Sequence, residues 1–88
     1  MKVTTKSGFT CDIDKEKLDD WHFAKLAAKA TQGGEEALQC TIYLVEHMLT
    51  EKDAERLEAH VKTKDGRVPT TKMIAEVTEI LNLAGEKN

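Results

Sequence analysis

Met1-Lys2-Val3-Thr4-Thr5-Lys6-Ser7-Gly8-Phe9-Thr10-Cys11-Asp12-Ile13 is the stretch that decides the fold. Apolar and polar residues alternate on both sides of Ser7-Gly8, the pattern of two strands and a turn. A two-residue loop at Ser7-Gly8 would pair Lys6 with Phe9 and put Val3 on the face opposite Phe9, Cys11 and Ile13. A three-residue loop, Lys6 to Gly8, pairs Thr5 with Phe9 and Val3 with Cys11. Met1, Val3, Phe9, Cys11 and Ile13 then share one face. A slip of one residue inverts every side chain, so the second register, which alone gives a single apolar face, is expected. It also puts Gly8 at the left-handed position of the loop. A lone hairpin is marginal in water, so this face must be covered by helices or by another chain.

Outward from the hairpin the periodicity changes to that of helices. Asp14 is a suitable N-cap for a helix over residues 15–31. Leu18, Trp21, Ala24 and Ala28 form one stripe on it, with Leu26 to the side. Trp21 is the only Trp in the chain, and such a residue serves either as a core anchor or at a partner surface. Its place on the stripe favours the core anchor. Gln32-Gly33-Gly34 stops the helix. Residues 35–49 follow, with Leu38, Ile42, Val45 and Leu49 on one stripe, widened by Ala37, Cys40, Tyr43, Leu44 and Met48. A helix apolar around most of its circumference is central or at an interface. Thr50 caps a third helix over residues 51–62, thinly apolar through Ala54, Leu57 and Val61. Lys64-Asp65-Gly66-Arg67 makes a turn, and Val68 before Pro69 is extended. A last helix over residues 71–84, capped by Thr70 or Thr71 and stopped by Gly85, carries Met73, Ile74, Val77, Ile80, Leu81 and Ala84. The fold class is therefore α+β. One domain, residues 1–88, holds an N-terminal hairpin (residues 2–13) and a bundle of about four short helices.

Composition bounds the function. The chain has 88 residues, 33% charged and 40% hydrophobic, with a net charge of −3. That is globular rather than disordered. Basic residues are scattered apart from Lys62, Lys64 and Arg67, so a nucleic-acid partner is not expected. No apolar run reaches the roughly 20 residues that span a bilayer, and residues 1–6 hold no signal core. The expected location is the cytoplasm, with both Cys reduced.

No residue cluster spells out a reaction. His22, His47, His60, Cys11 and Cys40 lack the close pairs of a zinc site: Cys40 and His47 stand seven apart. Cys11 and Cys40 fall on apolar faces and read as small core residues rather than nucleophiles. The neighbours Asp19 and Asp20, or Glu35 and Glu36, point about 100° apart on a helix and do not converge. Gln32-Gly33-Gly34 lacks the Lys-Ser/Thr of a phosphate loop. No catalytic residue, metal or cofactor is expected.

The order of pieces carries a resemblance. Ile13-Asp14 closes the hairpin, and Leu18-Asp19-Asp20-Trp21 and a central apolar helix follow. Ala54-Glu55-Arg56-Leu57-Glu58 then leads to Asp65-Gly66-Arg67-Val68-Pro69 and a final amphipathic helix. This layout resembles small proteins encoded in the tail gene clusters of long-tailed phages and prophages of Gram-positive bacteria, the tail assembly chaperones and related tail proteins. Thr31-Gln32-Gly33-Gly34 departs from the more acidic linker of that pattern. The resemblance implies a non-enzymatic factor in the host cytoplasm that binds the tape measure protein until tail tube protein polymerises around it. Another small phage homo-oligomer, structural or regulatory, is the alternative. Helix-in-groove recognition uses apolar residues three and four apart, so the candidate partner-binding residues are Leu38, Ile42, Val45, Leu49, Ile74, Val77 and Leu81. The hairpin edge is a further place where another subunit could add a strand.

Overall fold

The computed structural model describes residues 1–86. Strands β1 (Lys2–Thr4) and β2 (Thr10–Asp12) form an antiparallel hairpin, followed by helices α1 (Lys15–Leu18), α2 (Trp21–Gln32), α3 (Glu35–Met48), α4 (Glu51–Val61) and α5 (Thr70–Glu86). The architecture is α+β, as the alternation and the helical periodicity require.

Val3 pairs with Cys11, and the Thr5 N–H donates to the Phe9 carbonyl at 2.9 Å. The loop is thus Lys6-Ser7-Gly8, with Gly8 at φ 95° where a side chain would be strained. Val3, Phe9, Cys11 and Ile13 are all buried. They lie in one core with Phe23, Leu44, Met48, Leu57, Val77 and Ile80, and Met1 packs at its margin. Ile13, Leu44, Leu57 and Ile80 are fully enclosed, each contributing about 1.5–3 kcal/mol by burial.

The expected helix over residues 15–31 is two helices. Asp14 caps the first through the Glu16 N–H at 3.0 Å. Asp20 starts a second, accepting from the His22 N–H at 2.9 Å, with its own backbone extended at φ −143°. Asp is a stronger cap than a helix-interior residue, so the chain breaks at Asp19 and restarts.

This break corrects the placement of Trp21. It is the first residue of α2 and is 73% exposed, whereas Phe23 is 6% exposed. Phe23 takes the core position, and Leu26, Ala27 and Ala30 pack on the same side. Ala24 and Ala28, which share the expected stripe with Trp21, are exposed.

Gly33 and Gly34, both at positive φ, turn the chain back so that α3 lies along α2, with the Phe23 and His47 rings 5.6 Å apart. Thr50 caps α4 through the Asp53 N–H at 3.1 Å. α5 begins one residue earlier than expected, at Thr70, with the Met73 N–H on the Pro69 carbonyl at 3.1 Å. It continues through Gly85, which has no left-handed φ to end it. No helix among the described residues is long and apolar enough to cross a membrane.

Candidate functional site: an apolar cleft between α3, α4 and α5

α3 is apolar around too much of its circumference for one core to absorb. Cys40, Thr41, Leu44 and Met48 turn inward. Leu38 and Ile42 project from an adjacent face and stay 46% and 48% exposed. α5 brings Met73, Ile74 and Val77 to the same side, α4 brings Ala54, and Val68 closes one end. Between them lies an open cleft of about 500 Å³. Val77 is buried and forms part of its floor. The Thr41 hydroxyl, also on the lining, is committed to the Ala37 carbonyl at 2.8 Å.

Five of the seven candidate partner-binding residues, Leu38, Ile42, Val45, Ile74 and Val77, meet in this cleft. Leu49 and Leu81 do not. Leu49 is 3% exposed. The helix stops at Met48, and the extended backbone of Leu49 (φ −107°, ψ 153°) takes its side chain off the stripe and into the core. Leu81 is half-buried against the core. Met73, which the sequence places among the apolar residues of the last helix, also lines the cleft, and periodicity gave no sign of Val68, Glu46 or Glu58. An apolar residue before the only Pro, in an otherwise polar turn, was the available signal for Val68.

Val68 is held in place by the turn before it. The Thr63 N–H donates to the Arg67 carbonyl at 2.8 Å and the Gly66 N–H to the Thr63 carbonyl at 3.1 Å. The Thr63 hydroxyl bonds Asp65, and Arg67 Nε donates to Asp65 Oδ2 at 3.0 Å. The Thr63 hydroxyl, then Arg67, holds the Asp65 carboxyl below its ordinary range. Asp65-Gly66-Arg67 is thus a clip that presents Val68 to the cleft.

Ser7, His60 and Glu76 also come together, outside the cleft lining. Glu76 is buried. Its Oε1 accepts from the Thr5 hydroxyl at 3.0 Å and the Ser7 hydroxyl at 2.5 Å. His60 Nε2 lies 2.9 Å from Ser7 Oγ and 3.9 Å from the same Glu76 oxygen. A nucleophilic triad needs the acid on the ring nitrogen remote from the hydroxyl. Here acid and hydroxyl crowd one nitrogen, and the Ser7 proton points at the carboxylate. The group is a clamp that fastens the hairpin loop to α5, reinforced by the Lys6 N–H donating to Glu79 Oε2 at 2.7 Å.

The clamp also bears on strand addition. Lys6 and Thr10 turn backbone groups outward from the hairpin. Glu79 takes the first, and Arg56 Nη2 takes the Thr10 carbonyl at 3.1 Å while its guanidinium lies 5.2 Å from the Phe9 ring centroid. A side chain thereby occupies part of the β2 edge, at Thr10, while Lys6 lies in the loop beyond β1.

Asp20, His47, Cys11 and Cys40 also have structural surroundings. The His22 backbone N–H, aided by the side chains of His22 and His47, holds the Asp20 carboxyl below its ordinary range. His47 Nε2 donates to the Lys17 carbonyl at 3.2 Å, tying α3 to the α1–α2 break. Burial, with Asp53 nearby, pushes the Cys11 thiol up to about 11, the opposite of an activated nucleophile. Cys40 is likewise buried and free. Among the described residues no three His, Cys, Asp or Glu side chains gather to hold a metal ion. Compared with protein-family models, curated proteins and solved structures, the chain matches none.

Proposed function

We propose that this protein is a non-enzymatic tail assembly chaperone that seats helical segments of the tape measure protein in the cleft between α3, α4 and α5. The observation that carries the proposal is the cleft itself. Leu38, Ile42, Val45, Met73, Ile74 and Val68 present aliphatic surface in a groove, and a groove of that kind suits the apolar stripe of a helix. The lining is mostly aliphatic: the Thr41 hydroxyl is committed to its own helix, and the two carboxylates, Glu46 and Glu58, are exposed. The resemblance in residue order supplies the partner. A tape measure protein is long and helical, so many copies of a small domain can bind along it. Modest affinity per copy then suffices, because linked sites raise the effective concentration. Tail tube protein enters as the component that later takes the chaperone's place, in the host cytoplasm.

The test is titration of labelled helical tape measure segments against the wild type and an Ile42→Asp variant. Ile42 is half exposed, so the variant folds with an unchanged circular dichroism spectrum. Its affinity is expected to fall by at least about tenfold, the effect of placing an unpaired charge in an apolar contact. Failure of every segment to bind, or equal binding by the variant, refutes the proposal. Sedimentation separates the homo-oligomer alternative. A dimer that Ile42→Asp dissociates would mean that a second copy fills the cleft.

A further inference from the structure

The charges of the cleft point to a narrower class of partner. The lining residues include two that are charged, Glu46 on α3 and Glu58 on α4, and no Lys, Arg or His. Both carboxylates are exposed. Neither has a hydrogen-bond or ion-pair partner among the described residues. This is unlike Asp53, Asp65 and Glu76, which are matched by Arg56, Arg67 and the hydroxyls of Thr5 and Ser7. Other surface acids are also unpaired, but these two alone line the aliphatic groove, where no basic side chain offsets them.

We infer that the cleft is selective for a basic amphipathic helix, one whose aliphatic stripe is flanked by Lys or Arg, and that Glu46 and Glu58 are its specificity-determining residues. The inference rests on the helix-binding function proposed above. Each carboxylate would meet a cation at the rim, where water still reaches. Such pairs add little affinity singly and discriminate well between partners, because the wrong charge is repelled where the right one is attracted. A partner with acidic flanks would place a third and fourth negative charge against Glu46 and Glu58 as its apolar stripe desolvates them. Charge at the rim also steers encounter, so the preference is strongest at low salt and weakens as screening shortens the Debye length from about 10 Å at 0.1 M to about 3 Å at 1 M.

The experiment uses two designed helices with the same aliphatic stripe, one flanked by Lys and the other by Glu. Binding to the whole protein is measured by fluorescence anisotropy at low and high salt. The Lys-flanked helix is expected to bind on the order of tenfold more tightly at low salt, with the ratio shrinking at high salt. In Glu46→Gln/Glu58→Gln the ratio should fall towards one with binding of the Glu-flanked helix improved. Glu46→Lys/Glu58→Lys should invert the preference. Both residues are exposed, and circular dichroism of each variant confirms that the fold is kept. Equal binding of the two helices overturns the charge selectivity and leaves helix binding standing. Absence of binding by either helix overturns both. A cleft already closed by a second copy, seen as a dimer that neither helix dissociates, also overturns the inference.

Discussion

Replacing Phe23 by Ala and, separately, Trp21 by Ala tests whether α2 begins where Asp20 caps it. Phe23 is 6% exposed, lies against the His47 ring at 5.6 Å, and belongs to the core. Truncating such a ring costs about 3–5 kcal/mol. The lower figure is appropriate because the ring sits at the core margin, where neighbours can relax. For a domain of this size, about 3 kcal/mol corresponds to a fall in Tm of roughly 12–24 °C. Trp21 is 73% exposed, so about a quarter of the roughly 250 Å² of a Trp is out of water. That quarter amounts to at most about 1.5 kcal/mol of burial. Ala is also the better helix former by several tenths of a kcal/mol. The net cost of Trp21→Ala is therefore about 1 kcal/mol or less. Urea unfolding followed by far-ultraviolet circular dichroism measures both variants without relying on the Trp signal. The wild-type emission spectrum should also be that of a water-exposed indole. If Trp21→Ala destabilises as much as Phe23→Ala, or the emission is that of a buried ring, one unbroken helix runs through residues 15–31 and the capping argument is wrong.

The hairpin clamp and the buried thiol give two further outcomes. Glu76→Leu removes the acceptor for Thr5 and Ser7 and should cost about 2–3 kcal/mol, since bonds to a charged group are worth about 1.5–3 kcal/mol; Glu76→Gln, which keeps one acceptor oxygen, should cost clearly less in the same urea series, and equal costs would mean that the carboxylate charge, not the bonding, is what matters. Cys11 holds its proton to about pH 11 in the folded chain against an ordinary 9.0. Its contribution to stability is complete below about pH 9 and is lost as pH rises toward 11, because the unfolded thiol ionises first. Urea midpoints at pH 8 and pH 11 should therefore fall further for the wild type than for Cys11→Val, and identical losses would show that Lys and Tyr titration accounts for the whole effect.

The hairpin was legible in full because strand alternation and one glycine leave a single register with one apolar face. α3 was legible as a helix with more apolar surface than one core can take, and its surplus residues Leu38 and Ile42 do stand at the cleft. The α1–α2 break was hidden because Asp14 and Asp20 are equally good caps six residues apart. Periodicity cannot choose between one helix with two internal Asp residues and two helices with a cap each. The choice moved Trp21 from a core stripe to an exposed first position and brought Phe23 inward. Leu49 failed for a related reason: one residue past a helix end, the angular rule no longer holds. Glu76 and the lip of Glu46 and Glu58 gave no local signal. Their surroundings come from segments far away in the chain, and only the tertiary arrangement decides that one acid is clamped and two are left unpaired.

The clamp has a consequence for how the protein is made. Glu76 bonds Thr5 and Ser7 across 71 and 69 residues, and Glu79 bonds the Lys6 N–H across 73. Translation proceeds from the N-terminal side, so the hairpin leaves the ribosome before the helix that secures its loop. At about 5–20 residues per second, Phe9, Cys11 and Ile13 wait several seconds for the helix that holds their loop. A chain cut short before Glu76 lacks the acceptors for Thr5, Ser7 and the Lys6 N–H. Until α5 is made, the hairpin loop lacks the carboxylates that fasten it.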